Sequence, residues 1–229
     1  MKVHDIRQMV ALYLTLQPLP PAFISESVYD AQLQQLLIDQ LIANPHTIAY
    51  PPATDYQRKF WKNVVVALEG NGVEVEGEIY ERLICMLSTP VRQGPPEASY
   101  LTYLLRRPES GTIPTATWRR PSGIDNFGQD HRPLTILESR TTIERGTTGL
   151  RTWRASLDLS EWILQNQYTV SSARVLELGS GAGLLGLLVA TIQQLNRPTD
   201  TEQASCIYLT DIDDDVLARC ALNIRLPCS

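Results

Sequence analysis

A glycine-rich run with one acidic residue before it is the part of the sequence best suited to hold a cofactor. Glycines stand at every second position at Gly179, Gly181 and Gly183, and Glu177 precedes the first of them by two residues. Glycines at this spacing let the backbone come close to a ligand, and a helix that starts at the end of the run directs free N–H groups toward it. The pattern therefore predicts a loop that binds a nucleotide-type cofactor.

Two classes of cofactor fit this loop. Gly181, Gly183 and Gly186 also satisfy the dinucleotide pattern G-x-G-x-x-G, which would make the chain an NAD-dependent oxidoreductase. Glu177 favours the other class, because a carboxylate attracts the sulfonium and ammonium groups of S-adenosylmethionine, whereas a pyrophosphate gains nothing from it. The distance along the chain from Gly183 to Asp211 also exceeds the roughly 20 residues of the dinucleotide fingerprint, although a polar insertion between them could account for the excess. The oxidoreductase remains the alternative.

A second acidic residue follows the next predicted strand. Residues 206–210 read Cys-Ile-Tyr-Leu-Thr, and Asp211 and Ile212 come directly after them. A carboxylate at the end of this strand can accept both ribose hydroxyls of a nucleotide, while the apolar neighbour lies against adenine. Asp211 is therefore the predicted ribose ligand. The alternative interpretation is that it caps the following helix, the role that we assign to 213–215.

The elements that would position these residues alternate between strands and helices. An apolar strand is predicted over 173–178, a helix over 184–195, a second strand over 206–210 and a helix over 214–226. This alternation is typical of α/β folds with a parallel sheet, which bind ligands at the carboxyl ends of their strands.

The residues before this α/β segment have a different character. Residues 1–88 contain apolar residues at helical spacing in four stretches, which predicts a small all-α domain with those residues in its core. Residues 89–133 are rich in proline and glycine, and we expect an irregular linker there. Residues 134–143 contain β-branched residues in a pattern that predicts a short hairpin.

Composition excludes several classes of function. The chain has 229 residues, a formal net charge of −5 and 43% apolar residues, as expected of a globular protein. No apolar run reaches the roughly 18 residues of a membrane-spanning helix, and no platform of interleaved basic and aromatic residues indicates direct nucleic-acid binding. Cys85, Cys206, Cys220 and Cys228 lack metal-site or disulfide spacing. We therefore expect no metal, no membrane and a reducing, cytoplasmic environment.

Longer runs carry a resemblance to a known family. Residues 146–162 read GTTGLRTWRASLDLSEW, residues 175–186 read VLELGSGAGLLG, residues 209–213 read LTDID, and residues 50–60 read YPPATDYQRKF. Together they resemble the seven-β-strand protein-lysine methyltransferases, and most of all the eukaryotic elongation factor 2 lysine methyltransferase family. The resemblance covers most of the chain, with 89–133 the least similar part.

The resemblance implies S-adenosylmethionine as the cofactor, N-methylation of a lysine as the reaction and elongation factor 2 as the protein substrate of a monomeric enzyme. Trp153 would contact the cofactor, the loop would wrap its methionine end, Glu177 would lie near its ammonium group and Asp211 would hold the ribose. No catalytic residue is assigned. The implied cofactor-binding residues are Trp153, Glu177, Gly179, Ser180, Gly181, Gly183 and Asp211.

The same resemblance implies an incomplete Rossmann-like domain. The expected organisation is a helical domain over 1–88, a linker over 89–133 and a partial S-adenosylmethionine-binding domain over 134–229. A sheet of the seven-strand type needs more residues than follow Ala173, so we expect a truncated chain whose first strand lies at a sheet edge with apolar surface exposed. Such a chain would bind the cofactor weakly or not at all, with a correspondingly weak or absent activity. A non-catalytic protein-binding fragment is the alternative.

Overall fold

The computed structural model describes residues 3–20, 31–90, 93–106, 131–196 and 206–226. They form two compact units, one with the described residues up to Leu104 and the other with those from Leu105 onward. The chain has a mixed α/β fold. None of the helices in the described ranges is long and apolar enough to cross a membrane.

Among the described residues before Ser99, the regular structure of the first unit is helical. The helices are α1 (Val3–Leu14), α2 (Ala31–Leu37, continued by a π-helical turn at Ile38–Ile42), α3 (Pro45–Ala49), α4 (Thr54–Gly70) and α5 (Gly77–Ser88). The start of α3 shows why these elements form where they do: the Asn44 side chain accepts a hydrogen bond from the His46 N–H, and Pro45 occupies the first helical position.

The core of the first unit contains a cluster of aromatic rings among aliphatic side chains. Tyr13 and Trp61 are completely buried, and the Tyr13 and Phe60 rings meet edge to face with centroids 4.6 Å apart. The Tyr13 hydroxyl donates to Gln57 Oε1 over 2.9 Å, which satisfies this polar group inside the core. The predicted apolar residues of α4 are therefore core, and so are those of α1 whose burial the structure describes, namely Val10, Tyr13 and Leu14.

Helix α5 differs from the expected pattern. Ile79 and Met86 are buried, but Ile84 and Leu87 are 59% and 56% exposed. The buried stripe of this helix is therefore narrower than its apolar residues suggest, because a helix at the surface of a unit needs only one narrow face against its neighbours.

Along the chain, two strands come after the helices of the first unit and before the glycine-rich run. Strand β1 covers Ser99–Arg106 and β2 covers His131–Glu138, so regular structure occupies part of the stretch 89–133 that was expected to be irregular; 107–130 lies outside the described residues. The hairpin expected over 134–143 is wrong in its second half. Thr141 Oγ1 donates to the Ile143 carbonyl over 3.1 Å and thereby stabilises a turn instead of a strand.

The second unit contains the predicted α/β segment. Its helices are α6 (Arg154–Gln165), α7 (Leu184–Leu195) and α8 (Asp214–Ile224), with a 3₁₀ turn at Gln167–Thr169, and its later strands are β3 (Val175–Leu178) and β4 (Ile207–Thr210). Strands β3 and β4 are parallel, with Val175 opposite Ile207 and Glu177 opposite Leu209. This parallel pair with α7 between its strands along the chain is the β-α-β arrangement that the sequence predicts.

The two faces of the β3–β4 pair have different surroundings. Glu177 and Leu209 point toward α7, because a side chain added at Gly186 of that helix would meet both of them. On the opposite face Leu176, Leu178 and Tyr208 are 61%, 79% and 50% exposed. The alternation of the strands thus separates a packed face from an open one.

A single buried amide ties several elements of the second unit together. Asn223 on α8 is fully buried and accepts a hydrogen bond from the Leu137 N–H over 2.8 Å. Its Nδ2 group donates to the carbonyls of Leu137 and Ala182 over 3.1 and 2.8 Å. These hydrogen bonds therefore fix the positions of β2, the glycine-rich loop and α8 relative to one another.

Truncation of leucines on the two sides of the β3–β4 pair tests this description. Leu188 on α7 is 1% exposed, whereas Leu178 is 79% exposed. We expect Leu188→Ala to lower the free energy of unfolding of the second unit by about 2–5 kcal/mol, and Leu178→Ala to change it by less than about 0.5 kcal/mol. Urea denaturation followed by circular dichroism measures both. Equal losses in the two variants would contradict the open face.

Candidate cofactor site

Three glycines of the loop adopt a backbone conformation that other residues avoid. Gly179, Gly181 and Gly183 have φ angles of 71°, 55° and 92°, and a residue with a Cβ atom is strained in this region. Gly183 has a second constraint, since a Cβ atom there would lie 2.8 Å from Cys220 Sγ. The alternating glycines therefore produce a tight turn from β3 into α7.

Hydrogen bonds that the loop donates to acceptors at the end of β4 hold it in place. The Ser180 N–H donates to the Thr210 carbonyl over 2.8 Å, and the Gly181 N–H donates to Asp211 Oδ2 over 3.1 Å. Asp211 Oδ1 accepts a further bond from the Asp213 N–H over 3.3 Å. One carboxylate thus links the glycine-rich loop to the turn after β4.

Asp211 is not the residue that caps helix α8 in the structure. Asp213 is the N-cap of α8, because its Oδ1 atom accepts hydrogen bonds from the N–H groups of Asp215 and Val216 over 2.9 and 3.2 Å. Of the residues 213–215, the capping role is confirmed for Asp213 only, since Asp214 and Asp215 lie in the first turn of the helix itself. Asp211 does not cap that helix, so the alternative interpretation of this residue is wrong.

A cleft of about 430 Å³ lies beside the loop. Five of the seven predicted cofactor-binding residues line it, namely Trp153, Gly179, Ser180, Gly181 and Asp211. Glu177 and Gly183 are not among the lining residues. The complete lining consists of residues 147–149, 151–153, 155, 156, 179–182, 184, 211 and 212.

Two apolar side chains at the cleft are exposed to solvent. Trp153 is 57% exposed, and its indole Nε1–H donates to the Thr148 carbonyl over 3.1 Å. Ile212 is fully exposed. A planar heterocycle gains from contact with such surfaces. At this exposure Trp153 is not a core residue.

The segment 147–149 forms a wall that sequence reasoning did not assign. A Cβ atom at Gly149 would lie 2.8 Å from Val216 Cγ2, and a Cβ atom at Gly181 would lie 3.2 Å from the Gly149 carbonyl oxygen. The missing side chain of Gly149 therefore makes room for Val216, and that of Gly181 makes room for the backbone of Gly149. The signal in the sequence is the run GTTG at 146–149, whose spacing does not reveal that Gly149 lies next to Gly181 of the loop.

Glu138 is another residue that sequence reasoning missed. It is 5% exposed, and its Oε2 atom accepts a hydrogen bond from the Thr152 N–H over 2.8 Å. Burial raises the pKa of this carboxyl, while hydrogen bonds from Thr152 and the charge of Arg151 act in the opposite direction. Glu138 therefore connects β2 to the backbone just before Trp153, a long-range contact that no local pattern predicts.

Glu177 does not line the cleft, and its side chain points toward α7. Its Oε2 atom is buried without a hydrogen-bond partner among the described residues. Burial raises the pKa of the carboxyl to about 7, and the backbone N–H of Gly186 partly counteracts this by favouring the charged form. The predicted contact between Glu177 and the ammonium group of a cofactor stays a prediction.

The chemistry of the lining fits an adenosyl cofactor. The Asp211 carboxylate keeps lone pairs for a ribose diol beyond those used by two backbone N–H groups, and the exposed Ile212 and Trp153 offer apolar surface beside it. The loop places backbone close to the cleft without intervening side chains. These groups are what a ligand with a ribose, a base and a short polar tail requires.

The site lies within a segment with recognisable relatives. Residues 129–227 match a family model described as lysine methyltransferase. This match covers 99 of the 229 residues and places the segment that contains the site in the lysine methyltransferase family.

The chain is also similar to individual curated proteins, over part of their length. The chain is 31% identical over 177 residues to the protein-lysine N-methyltransferase EEF2KMT of Bos taurus, which covers 76% of this chain and 44% of the relative. The Homo sapiens EEF2KMT is 31% identical over 161 residues, covering 70% and 40%. The protein-lysine N-methyltransferase EFM3 of Chaetomium thermophilum is 33% identical over 175 residues, covering 72% and 46%. The resemblance stated from the sequence is confirmed, and the chain spans less than half the length of these curated relatives.

The raised pKa of Glu177 predicts how stability depends on pH. A carboxyl that titrates at about 7 in the folded chain and at 4.5 in the unfolded chain holds more protons when folded between those values, so its contribution to stability falls as pH rises through this range. We expect the melting temperature of Glu177→Gln, relative to the unsubstituted chain, to increase from pH 5 to pH 8. Thermal unfolding measures it, with Glu161→Gln, an exposed position on α6, as the control. A difference that is constant with pH would contradict the assignment.

Proposed function

We propose that the chain binds S-adenosylmethionine in the cleft beside the glycine-rich loop and that it serves in the N-methylation of a protein lysine. The observation that carries this proposal is the grouping of Trp153, the loop and Asp211 around one cleft, within the segment that matches the lysine methyltransferase model. The family membership supplies the reaction class, and the geometry supplies a place for the cofactor.

Each residue of the cleft then has a role that follows from its chemistry. Asp211 accepts the ribose hydroxyls, and its existing bonds to backbone N–H groups fix the direction in which its lone pairs point. Ile212 and Trp153 contact the apolar parts of the ligand. Gly179, Ser180 and Gly181 bring backbone against its methionine end, where a side chain would take the space.

Methyl transfer to a lysine depends on positioning. The bound cofactor supplies the methyl group as an electrophile. A deprotonated lysine amine must meet it in line, and such a reaction gains most from orientation and exclusion of water and needs no strong base. We accordingly assign no proton acceptor to this chain.

Elongation factor 2 is the protein substrate that we propose. The support for it is the similarity to the relatives named EEF2KMT, together with the sequence resemblance. A cytoplasmic location accords with this substrate and with free thiols at Cys85, Cys206 and Cys220 in the described part of the chain.

Loss of the Asp211 carboxylate tests the cofactor site. Asp211→Asn keeps the size of the side chain but removes the charge that accepts from the ribose, so we expect the Kd for S-adenosylmethionine to rise at least about tenfold. Calorimetric titration measures it. The matched control is Asp214→Asn, an exposed acidic residue in the first turn of α8, which should bind as the unsubstituted chain does.

The same titration separates the two cofactor classes. The cleft is open, because Trp153 is 57% exposed and Ile212 is fully exposed, so we expect weak binding measured at high ligand concentration. S-adenosylhomocysteine should compete with S-adenosylmethionine, and NAD should not. Competition by NAD alone would support the oxidoreductase alternative and overturn the proposal.

The substrate requires a separate measurement. The chain is incubated with radiolabelled S-adenosylmethionine and purified elongation factor 2. We expect label on a lysine of elongation factor 2 and on no other type of side chain. Asp211→Asn should reduce the rate of labelling at least about tenfold. Mass spectrometry of the labelled peptides identifies the modified residue. Label on another protein of a mixed lysate, with none on elongation factor 2, would contradict the substrate while leaving the reaction class intact.

A further inference from the structure

The last residues of strand β2 are bonded to two separate segments that line the cleft. Leu137 exchanges hydrogen bonds with the Asn223 amide, which also donates to the Ala182 carbonyl in the glycine-rich loop. The next residue, Glu138, accepts a hydrogen bond from the Thr152 N–H. Ala182 and Thr152 both line the cleft. Because neighbouring residues of one strand make these bonds, β2 relates the position of the loop to that of the segment 147–153.

The segment that carries Trp153 has a second attachment to the end of β2. The Ser139 N–H donates to the Leu150 carbonyl over 2.7 Å, and both residues are buried. The Trp153 side chain is 57% exposed, and its indole N–H donates to Thr148 of the same segment. Packing therefore fixes the indole only in part, and its position at the cleft depends on how the backbone of the segment is held.

The Glu138 carboxyl is placed to hold this backbone and not to touch a ligand. It is 5% exposed and is not among the residues that line the cleft. Its Oε2 atom lies 2.8 Å from the Thr152 nitrogen, which is the length of a well-formed hydrogen bond. A partly buried N–H group that loses its acceptor must find another or stay unsatisfied. Loss of the carboxyl would therefore release the backbone next to Trp153.

We propose that Glu138 is a positioning residue, which holds the Thr152 backbone so that the Trp153 indole lies at the cleft where the cofactor meets it. This inference rests on the proposed function. The backbone of the segment then need not be ordered when a ligand arrives, which lowers the entropy cost of binding. Cofactor affinity therefore depends on Glu138, although its side chain touches no ligand.

Calorimetric titration with S-adenosylmethionine tests the proposal on variants of Glu138. Glu138→Met removes the acceptor at similar volume and Glu138→Asp withdraws it by one methylene, so we expect each to raise the Kd about tenfold. Glu138→Gln retains an oxygen that can accept from Thr152, and its Kd should stay within about threefold of the unsubstituted value. An unchanged Kd in a folded Glu138→Met or Glu138→Asp chain would overturn the proposal. A tenfold rise in Glu138→Gln would overturn it as well.

Gln193 provides the matched control for a general loosening of the second unit. It is 4% exposed, and its Nε2 group donates to the carbonyls of Val170 and Ala173 over 2.8 and 2.9 Å. It too joins a buried side chain to a distant backbone, but it does not line the cleft. Gln193→Met should lower the melting temperature and leave the Kd unchanged. An equal rise of the Kd in Gln193→Met and Glu138→Met would assign the effect to stability and overturn the positioning role.

A double-mutant cycle shows whether Glu138 acts through Trp153. Trp153→Ala removes the surface that Glu138 is proposed to position, so the two losses should not multiply. We expect Glu138→Met to change the Kd of the Trp153→Ala chain by less than about twofold. A full tenfold effect in that background would show that Glu138 acts independently of the indole and would overturn the proposed route.

Measurements without a ligand separate this inference from the proposed function. Hydrogen exchange followed by NMR should show the Thr152 amide protected in the unsubstituted chain and in Glu138→Gln. In Glu138→Met the Thr152 amide and the Trp153 indole N–H should both exchange at least about tenfold faster, and Gln193→Met should leave them unchanged. These results in a chain that binds no cofactor would support the positioning role and refute the proposed function. A Thr152 amide that is unprotected in the unsubstituted chain would refute the positioning role even if the cofactor binds.

Discussion

The close approach of helix α7 to the strands β3 and β4 at Gly186 is the constraint on which the second unit depends. A Cβ atom there would lie 2.4 Å from Leu209 Cδ2, so any larger residue would push the helix away from the sheet. The position of α7 determines where the loop turns, because the helix begins one residue after Gly183. It also determines the surroundings of Glu177, which is enclosed between strand and helix. The cleft, the loop and the buried carboxyl therefore share one structural cause.

The acidic residues near the loop have separate functions although the sequence presents them alike. Asp213 satisfies N–H groups at the start of α8, and Asp211 joins the loop to the end of β4 and lines the cleft. Glu177 does not line the cleft, and its side chain points toward α7. What separates them is the direction of the side chain from the sheet: strand alternation turns Glu177 toward the helix layer, whereas Asp211 follows the end of its strand and is free to turn toward the loop.

The sequence predicts the local features of this unit well and the long-range ones poorly. Strand β3, helix α7 and strand β4 occur where the apolar runs place them, within two residues at each end. The alternating glycines do form a tight turn, since positive φ angles are a local demand that the residue type reveals. The contact of Gly181 with Gly149, and that of Glu138 with the Thr152 N–H, depend on how distant segments pack. The exposed stretch of α5 and the missing second strand after Glu138 have the same origin, because periodicity and β-propensity describe a tendency that tertiary surroundings override.

The conformation of the loop is already determined by the protein's own hydrogen bonds. Ser180 donates to Thr210, Gly181 donates to Asp211, and the Gly183 N–H donates to the Ser180 carbonyl over 2.9 Å. A ligand that enters the cleft need not order this backbone, so the entropy cost of binding falls on the ligand and on exposed side chains such as Trp153. Because these apolar walls are open, the free energy of binding available from excluding water is small. The loop is thus already shaped for the proposed cofactor, while the open walls of the cleft limit the strength with which the chain would hold it.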